Sequence, residues 1–158
     1  MSHLRKTRVN TAVILGMLSV SVSCARSSPA TREFTLQATT VQTTDIDVDG
    51  NGMLSQGDQS IFTTALTREG SEVGTGHAVC TVTRVNSPDD AFRKCLVSFD
   101  LADGQITAQA LVGNANFMDF TEDITGGTDA YRNAGGEIQV LFVEDIVRDL
   151  RFSIDDLG

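Results

Sequence analysis

The sequence predicts an all-β protein, an eight-stranded antiparallel β-barrel. Three observations predict it. Short segments alternate apolar and polar residues with period two. Turn-forming clusters separate them every 8–12 residues or so, the spacing of a sandwich or barrel. No stretch beyond the N-terminal region carries the 3.6-residue periodicity of an amphipathic helix.

The chain begins with a basic head, His3, Arg5, Lys6 and Arg8, followed by an apolar run from Thr11 to Val22. A bilayer-spanning helix needs roughly 20 residues, so this run is too short to cross one and matches a signal-peptide core instead. Ser21-Val22-Ser23-Cys24 is similar to a bacterial lipobox, with Cys24 the candidate for acylation and Ser21 in the place of the usual aliphatic residue. Ordinary cleavage near Cys24 or Ser28 is the other reading. Residues 1–23 are therefore a signal peptide, 24–33 a Ser/Pro tether, and 34–158 one barrel domain in an exported protein, extracellular or lipid-anchored.

Within the domain, Phe34, Leu36 and Ala38 alternate with Thr35, Gln37 and Thr39 in a first strand over Glu33–Thr43. Asp45, Asp47 and Asp49 with Gly50 match the first half of an EF-hand calcium loop counted from Asp45. The match stops there. Gly52 stands eighth and Gln56 twelfth, a neutral amide cannot act as the bidentate carboxylate, and no helix flanks the run. An acidic loop without metal is expected.

Phe62, Thr64 and Leu66 share one face of the second strand, Asp58–Leu66. Arg68-Glu69-Gly70-Ser71 turns the chain into His77–Arg84, where Ala78, Cys80 and Val82 share the apolar face and His77 lies opposite, solvated. Asn86-Ser87-Pro88-Asp89-Asp90 turns it again. Cys95, Val97, Phe99 and Leu101 align on Arg93–Leu101, and Ile106, Ala108 and Ala110 on Gln105–Val112. Phe117–Ile124 then leads to a glycine-rich crossing, Gly126-Gly127 to Gly135-Gly136, read as a loop with two tight turns. Ile138, Val140 and Phe142 align on the next strand, and Leu150, Phe152 and Ile154 on the last.

Residues 1–23 hold three of the 12 basic residues and none of the 21 acidic ones, so the mature chain has a formal net charge of 9 − 21 = −12. Such a surface repels phosphate backbones and argues against nucleic-acid binding. The 135 residues that follow (158 − 23) suffice for one domain.

Ile124-Thr125-Gly126-Gly127-Thr128, Tyr131 and Ala134-Gly135-Gly136-Glu137, with Gly57-Asp58, Val73-Gly74-Thr75, Cys80 and Asp103–Gln109, resemble the allene oxide cyclase barrel-like superfamily. That group includes allene oxide cyclases, spirotetronate-forming cyclases and, more distantly, dirigent proteins. The resemblance runs from Gly57 to Val143 and implies a calycin-type barrel with its site in the lumen. It matches the cyclase cysteine to Cys80 and the cyclase asparagine to Thr64. The acidic residue of the cyclases' first strand has no counterpart, since only Gln37 and Gln42 are long and polar there.

Alternation gives the lumen lining as Phe34, Phe62, Thr64, Cys80, Val82, Val97, Phe99, Ile106, Ala108, Ala110, Ile138, Val140, Phe142 and Phe152. The ligand-contact set is Phe62, Thr64, Cys80, Val97, Phe99, Ala108, Val140 and Phe142, the small residues at 108 and 110 favouring a cavity over a filled core. Two functions follow. The first is a cyclase or isomerase folding a hydrophobic polyene or fatty-acid-like substrate, mainly by orientation. The second is a non-catalytic, dirigent-like or lipocalin-like barrel binding a small apolar ligand. No cofactor and no metal is expected. The partner is a hydrophobic small molecule, the membrane is reached only through a lipid on Cys24, and self-association into a dimer or trimer is open.

Cys80 and Cys95 fall on inward positions of strands that pair as a hairpin around Ser87-Pro88, and exported chains meet oxidising conditions. Opposed positions bring Cβ atoms to about 4.5–5.5 Å, so a disulfide is expected. Export itself is checked by intact-mass analysis of the native protein. Loss of residues 1–23 or a nearby cut is expected, and a mature chain beginning at Met1 or Ser2 would refute it.

Overall fold

In the computed structural model, which describes residues 31–156, eight antiparallel strands close into a barrel in sequential order. They are β1 (Thr31–Ile46), β2 (Gln59–Arg68), β3 (Ser71–Val85), β4 (Ala91–Leu101), β5 (Gly104–Gly113), β6 (Phe120–Gly127), β7 (Ala134–Glu144) and β8 (Val147–Asp156). Two short 3-10 turns, Asn114–Asn116 and Asp129–Tyr131, interrupt the loops. The expected signal peptide, Cys24 and the expected tether up to residue 30 lie outside the described residues, and residues 31–33, expected in the tether, belong to β1. No helix among the described residues is long and apolar enough to cross a membrane.

The alternation does what the sequence requires of it. Leu36, Leu66, Cys80, Val97, Phe99, Ile106, Ile138, Val140, Leu150 and Phe152 are buried together inside the ring. Closure comes from β8 pairing with β1, Phe34 opposite Phe152 and Leu36 opposite Leu150. The end of the barrel beneath those pairs is packed solid. Phe34 stacks on Phe152 with ring centroids 4.6 Å apart, and Phe99 meets Phe152 edge-on at 5.2 Å. Arg68 and Arg32 lie over the Phe34 ring, at 4.9 and 5.5 Å, and cap this end with cation–π contacts. Arg32 also pairs with Asp103 at 3.1 Å, and Tyr131 donates its hydroxyl to the same carboxylate at 2.8 Å.

Two expectations need correction. The strand expected over Glu33–Thr43 runs from Thr31 to Ile46, because the β8 ladder reaches back to Thr31 and the β2 ladder forward to Ile46. Both glycine pairs, expected in a loop, lie inside strands: Gly126 and Gly127 end β6 opposite Thr107 and Ile106, and Gly135 and Gly136 lie in β7 opposite Asp155 and Ile154. Gly136 holds φ at +111°, and a Cβ there would run into the carbonyl oxygen of Ser153. The glycine is thus needed for two strands to approach closely rather than for a turn.

Cys80 and Cys95 are bonded, as expected, on directly opposed positions of β3 and β4 with Cα atoms 4.0 Å apart. The bridge closes a loop of 15 residues, which in the chain-entropy account contributes roughly 3 kcal/mol. Reduction, or the pair Cys80→Ser and Cys95→Ser, is expected to lower the urea unfolding free energy by about that amount. An unchanged midpoint under reductant would show that the bridge adds no stability.

Candidate functional site: a carboxyl in an apolar lumen

The solid end leaves the middle and upper barrel open. A cavity of about 140 Å³ is lined there by Phe62, Thr64, Val97, Phe99, Phe117, Phe120, Glu122, Val140, Arg148 and Leu150, among others. β1–β4 and β6–β8 reach it, and β5 contributes no residue. Thr64 faces Gly76 across β2 and β3, and a side chain at 76 would collide with the Thr64 hydroxyl. The Cys80–Cys95 bridge forms part of the wall, so Cys80 is not available as a thiol.

Of the expected ligand contacts, Phe62, Thr64, Cys80, Val97, Phe99 and Val140 line the cavity. Ala108 and Phe142 do not. Ala108 is packed between Val97 of β4 and Ile124 of β6, so its small side chain serves the tight fit of β5 rather than open space. Phe142 sits at the upper rim, 37% exposed, with the Arg148 guanidinium 4.7 Å above its ring. Alternation put it on the correct face but could not show that this position lies beyond Val140, where pairing of β7 with β6 ends. Phe34, Phe152 and Ile106, expected in the lining, belong to the solid end, and Val82, Ala110 and Ile138, also expected there, are buried without lining the cavity.

The residue that sequence reasoning missed is Glu122. It lies on the inward face of β6 opposite Ile138, between Phe120 and Ile124. A signal was there to read, a carboxylate at an apolar-phase position with Thr121 and Asp123 facing out. Glu122 is 5% exposed, and its Oε2 has no hydrogen-bond partner. Arg148 lines the same cavity, but its Nη1 donates to the Glu144 and Val147 carbonyls at 2.9 and 3.0 Å. No ion pair involving Glu122 is present among the described residues. Burial without a cation disfavours the charged form and pushes the carboxyl up to about 7. His77, by contrast, is exposed, as expected, with Nε2 3.2 Å from the Thr75 hydroxyl.

The chain is a closed antiparallel barrel with one buried acid, Glu122, facing a mostly apolar cavity. More narrowly, residues 35–152 match the allene oxide cyclase barrel like domain, and the chain belongs to that family. Among solved structures it is similar to a pyocyanin demethylase, at 30% identity and TM-score 0.71, covering 78% of this chain and 99% of that one. A Diels-Alderase from Streptomyces koyangensis is similar at 12% identity and TM-score 0.67, covering 85% and 72%. A pterocarpan synthase dirigent protein is similar at 14% identity and TM-score 0.61, covering 81% and 95%. These solved structures share the barrel fold, and a search of curated proteins finds no match.

The raised pKa of Glu122 has a stability consequence of defined sign. Between about pH 4.5 and 7 the folded chain holds a proton on Glu122 that the unfolded chain has lost, so this group's stabilising contribution falls as pH rises through that window. Glu122→Gln removes the ionisable group. The variant is expected to match wild type near pH 4.5 and to be more stable at pH 8, by up to about 3 kcal/mol. Parallel wild-type and variant curves from pH 4.5 to 8 in urea unfolding would refute the assignment.

Proposed function

We propose that the lumen binds a small, largely apolar, conjugated molecule and that Glu122 transfers a proton to or from it, making the protein an isomerase- or cyclase-type enzyme. The observation that carries this reading is the unpartnered Glu122 carboxyl in a mostly apolar cavity. An acid that titrates near neutrality is matched to general acid–base work at neutral pH. As an acid it gives a proton to one atom of the bound molecule. The resulting carboxylate takes a proton back from another atom, so a double bond is relocated or a ring closed with no net change in composition and no co-reactant. The aromatic side chains Phe62, Phe99, Phe117 and Phe120 give flat apolar contact, and Thr64 is a neutral polar group on the same wall.

The family supports the lumen as the place of chemistry. The 30% identical relative acts, by its name, on pyocyanin, which supports a planar aromatic substrate over a long flexible chain. In this reading the protein works after export, at or beyond the cell surface, as the basic head and short apolar core of the sequence suggest.

Pyocyanin and a panel of conjugated polyenes serve as first probes, followed by absorbance for turnover and by thermal shift for uptake. Wild type is expected to take up at least one probe and convert it, with Glu122→Gln retaining uptake while its rate falls about 10²–10⁴-fold. Uptake with equal rates in wild type and variant would remove Glu122 from the chemistry. Uptake with no turnover across the panel would favour the dirigent-like, non-catalytic reading.

A further inference from the structure

β1 ends at Ile46 and β2 begins at Gln59, so the segment between them, 47–58, is twelve residues long. Counted from Asp47, its sequence places oxygen-bearing side chains at positions one, three, five, nine and twelve, namely Asp47, Asp49, Asn51, Ser55 and Asp58. Gly52 stands at six and holds φ at +71°. This is the donor order of an EF-hand calcium loop, in which position seven adds a backbone carbonyl, here that of Met53. The sequence count from Asp45 was two residues early. Asp45 still belongs to β1, where it accepts a 2.6 Å hydrogen bond from the Ser60 hydroxyl of the paired strand.

The folded chain supplies a separate observation. Carboxylate oxygens of Asp47, Asp49 and Asp58 all lie within 4.8 Å of one another, although Asp58 comes from the far end of the segment. Asp58 is only 9% exposed. Its two oxygens accept backbone N–H groups of Val48 and Ser55, at 3.1 and 2.7 Å. Three carboxylates gathered this closely repel one another, and no ion pair offsets the repulsion. The ion pairs among the described residues are Arg32–Asp103 and Arg84–Asp90, both elsewhere. Arg93 borders the same depression at the barrel mouth without an ion pair to any of the three. A dication supplies the missing charge, and six oxygen donors in a flexible loop suit calcium better than magnesium, which keeps several waters and demands a near-ideal octahedron.

We propose that residues 47–58 bind one Ca²⁺ per chain through Asp47, Asp49 and Asp58, with the Asn51 amide oxygen, the Met53 carbonyl and the Ser55 hydroxyl completing the oxygen shell. The site is separate from the lumen carboxyl, and its occupancy does not depend on the proposed reaction. Its place gives it a role. The same depression is bordered by Phe62 and Phe117, which also line the cavity, so the ion would fix the loop that forms one side of the cavity mouth.

The full processed chain, stripped with EDTA, is titrated with Ca²⁺ by calorimetry and melted with and without the ion. One site per chain is expected, with a dissociation constant of about 10⁻⁵–10⁻³ M. At roughly 100 times that constant the melting temperature is expected to rise by about 10 °C, with a smaller rise in Mg²⁺. Asp58→Asn disturbs the loop's own hydrogen bonds, so Asp49→Asn is the cleaner variant, since Asp49 is exposed and bonds only to Asn51. Asp49→Asn is expected to melt like wild type in EDTA and to bind Ca²⁺ at least 10-fold more weakly. No heat and no thermal shift up to about 10 mM Ca²⁺ would overturn the proposal. So would an equal response to Mg²⁺, or Asp49→Asn binding as wild type does.

Discussion

Closure of β8 onto β1 is the constraint on which the rest of the molecule depends. An open eight-stranded sheet would leave two edges and an apolar face uncovered, whereas the ring satisfies its backbone groups and encloses that face at once. Pairing Phe34 with Phe152 and Leu36 with Leu150 also decides what fills the inside. The aromatic stack occupies the lower end and cannot extend upward, because the side chains above it include Ala38, Thr64 and Gly76, which are small. The cavity is the part of the ring that those small residues leave unfilled.

That arrangement places Glu122 where the proposed proton transfer needs it. An acid at the barrel mouth would be hydrated and ionised, and one in the solid end would have no room for a ligand. On β6, with Phe120 of its own strand and Val140 of the neighbouring one on the same cavity wall, it is dry enough to hold its proton near neutrality and close enough to meet a bound molecule. The barrel therefore separates support from function by height. The lower half is a plug, and the upper half is a vessel.

Most of the fold was legible because period-two alternation reports a half-buried strand directly, and every strand here has one wet face. The Cys80–Cys95 bridge was legible for the same reason, since parity and turn length together fix which residues face each other. Height along the barrel was not legible. Phe142 and Phe62 have the same parity, and only the register with neighbouring strands shows that one is at the rim and the other inside. Ala108 looked like open space because small size has two meanings, a gap or a tight fit, and the partners Val97 and Ile124 decide between them. Glu122 was legible in principle, as a charge in apolar phase, but the turn-rich segment before it hid the phase. The loop donors were likewise masked by a count begun two residues early, at an aspartate that belongs to the strand.

The ladders around the ring are unequal. β3 and β4 pair along nearly their whole length, from Val85 opposite Ala91 to Gly74 opposite Leu101, and are covalently joined midway. β5 and β6 pair only from Ile106 to Gln109, and β6 joins β7 only from Phe120 to Asp123. The vessel consequently has a stiff wall and a yielding one, and the yielding wall carries the acid. A molecule larger than the resting cavity would be accommodated by outward movement of β6 at little cost in backbone hydrogen bonds, while the bridged wall kept its shape. Selectivity in such a vessel would be set by the rigid side, and tolerance of different substrates by the compliant one.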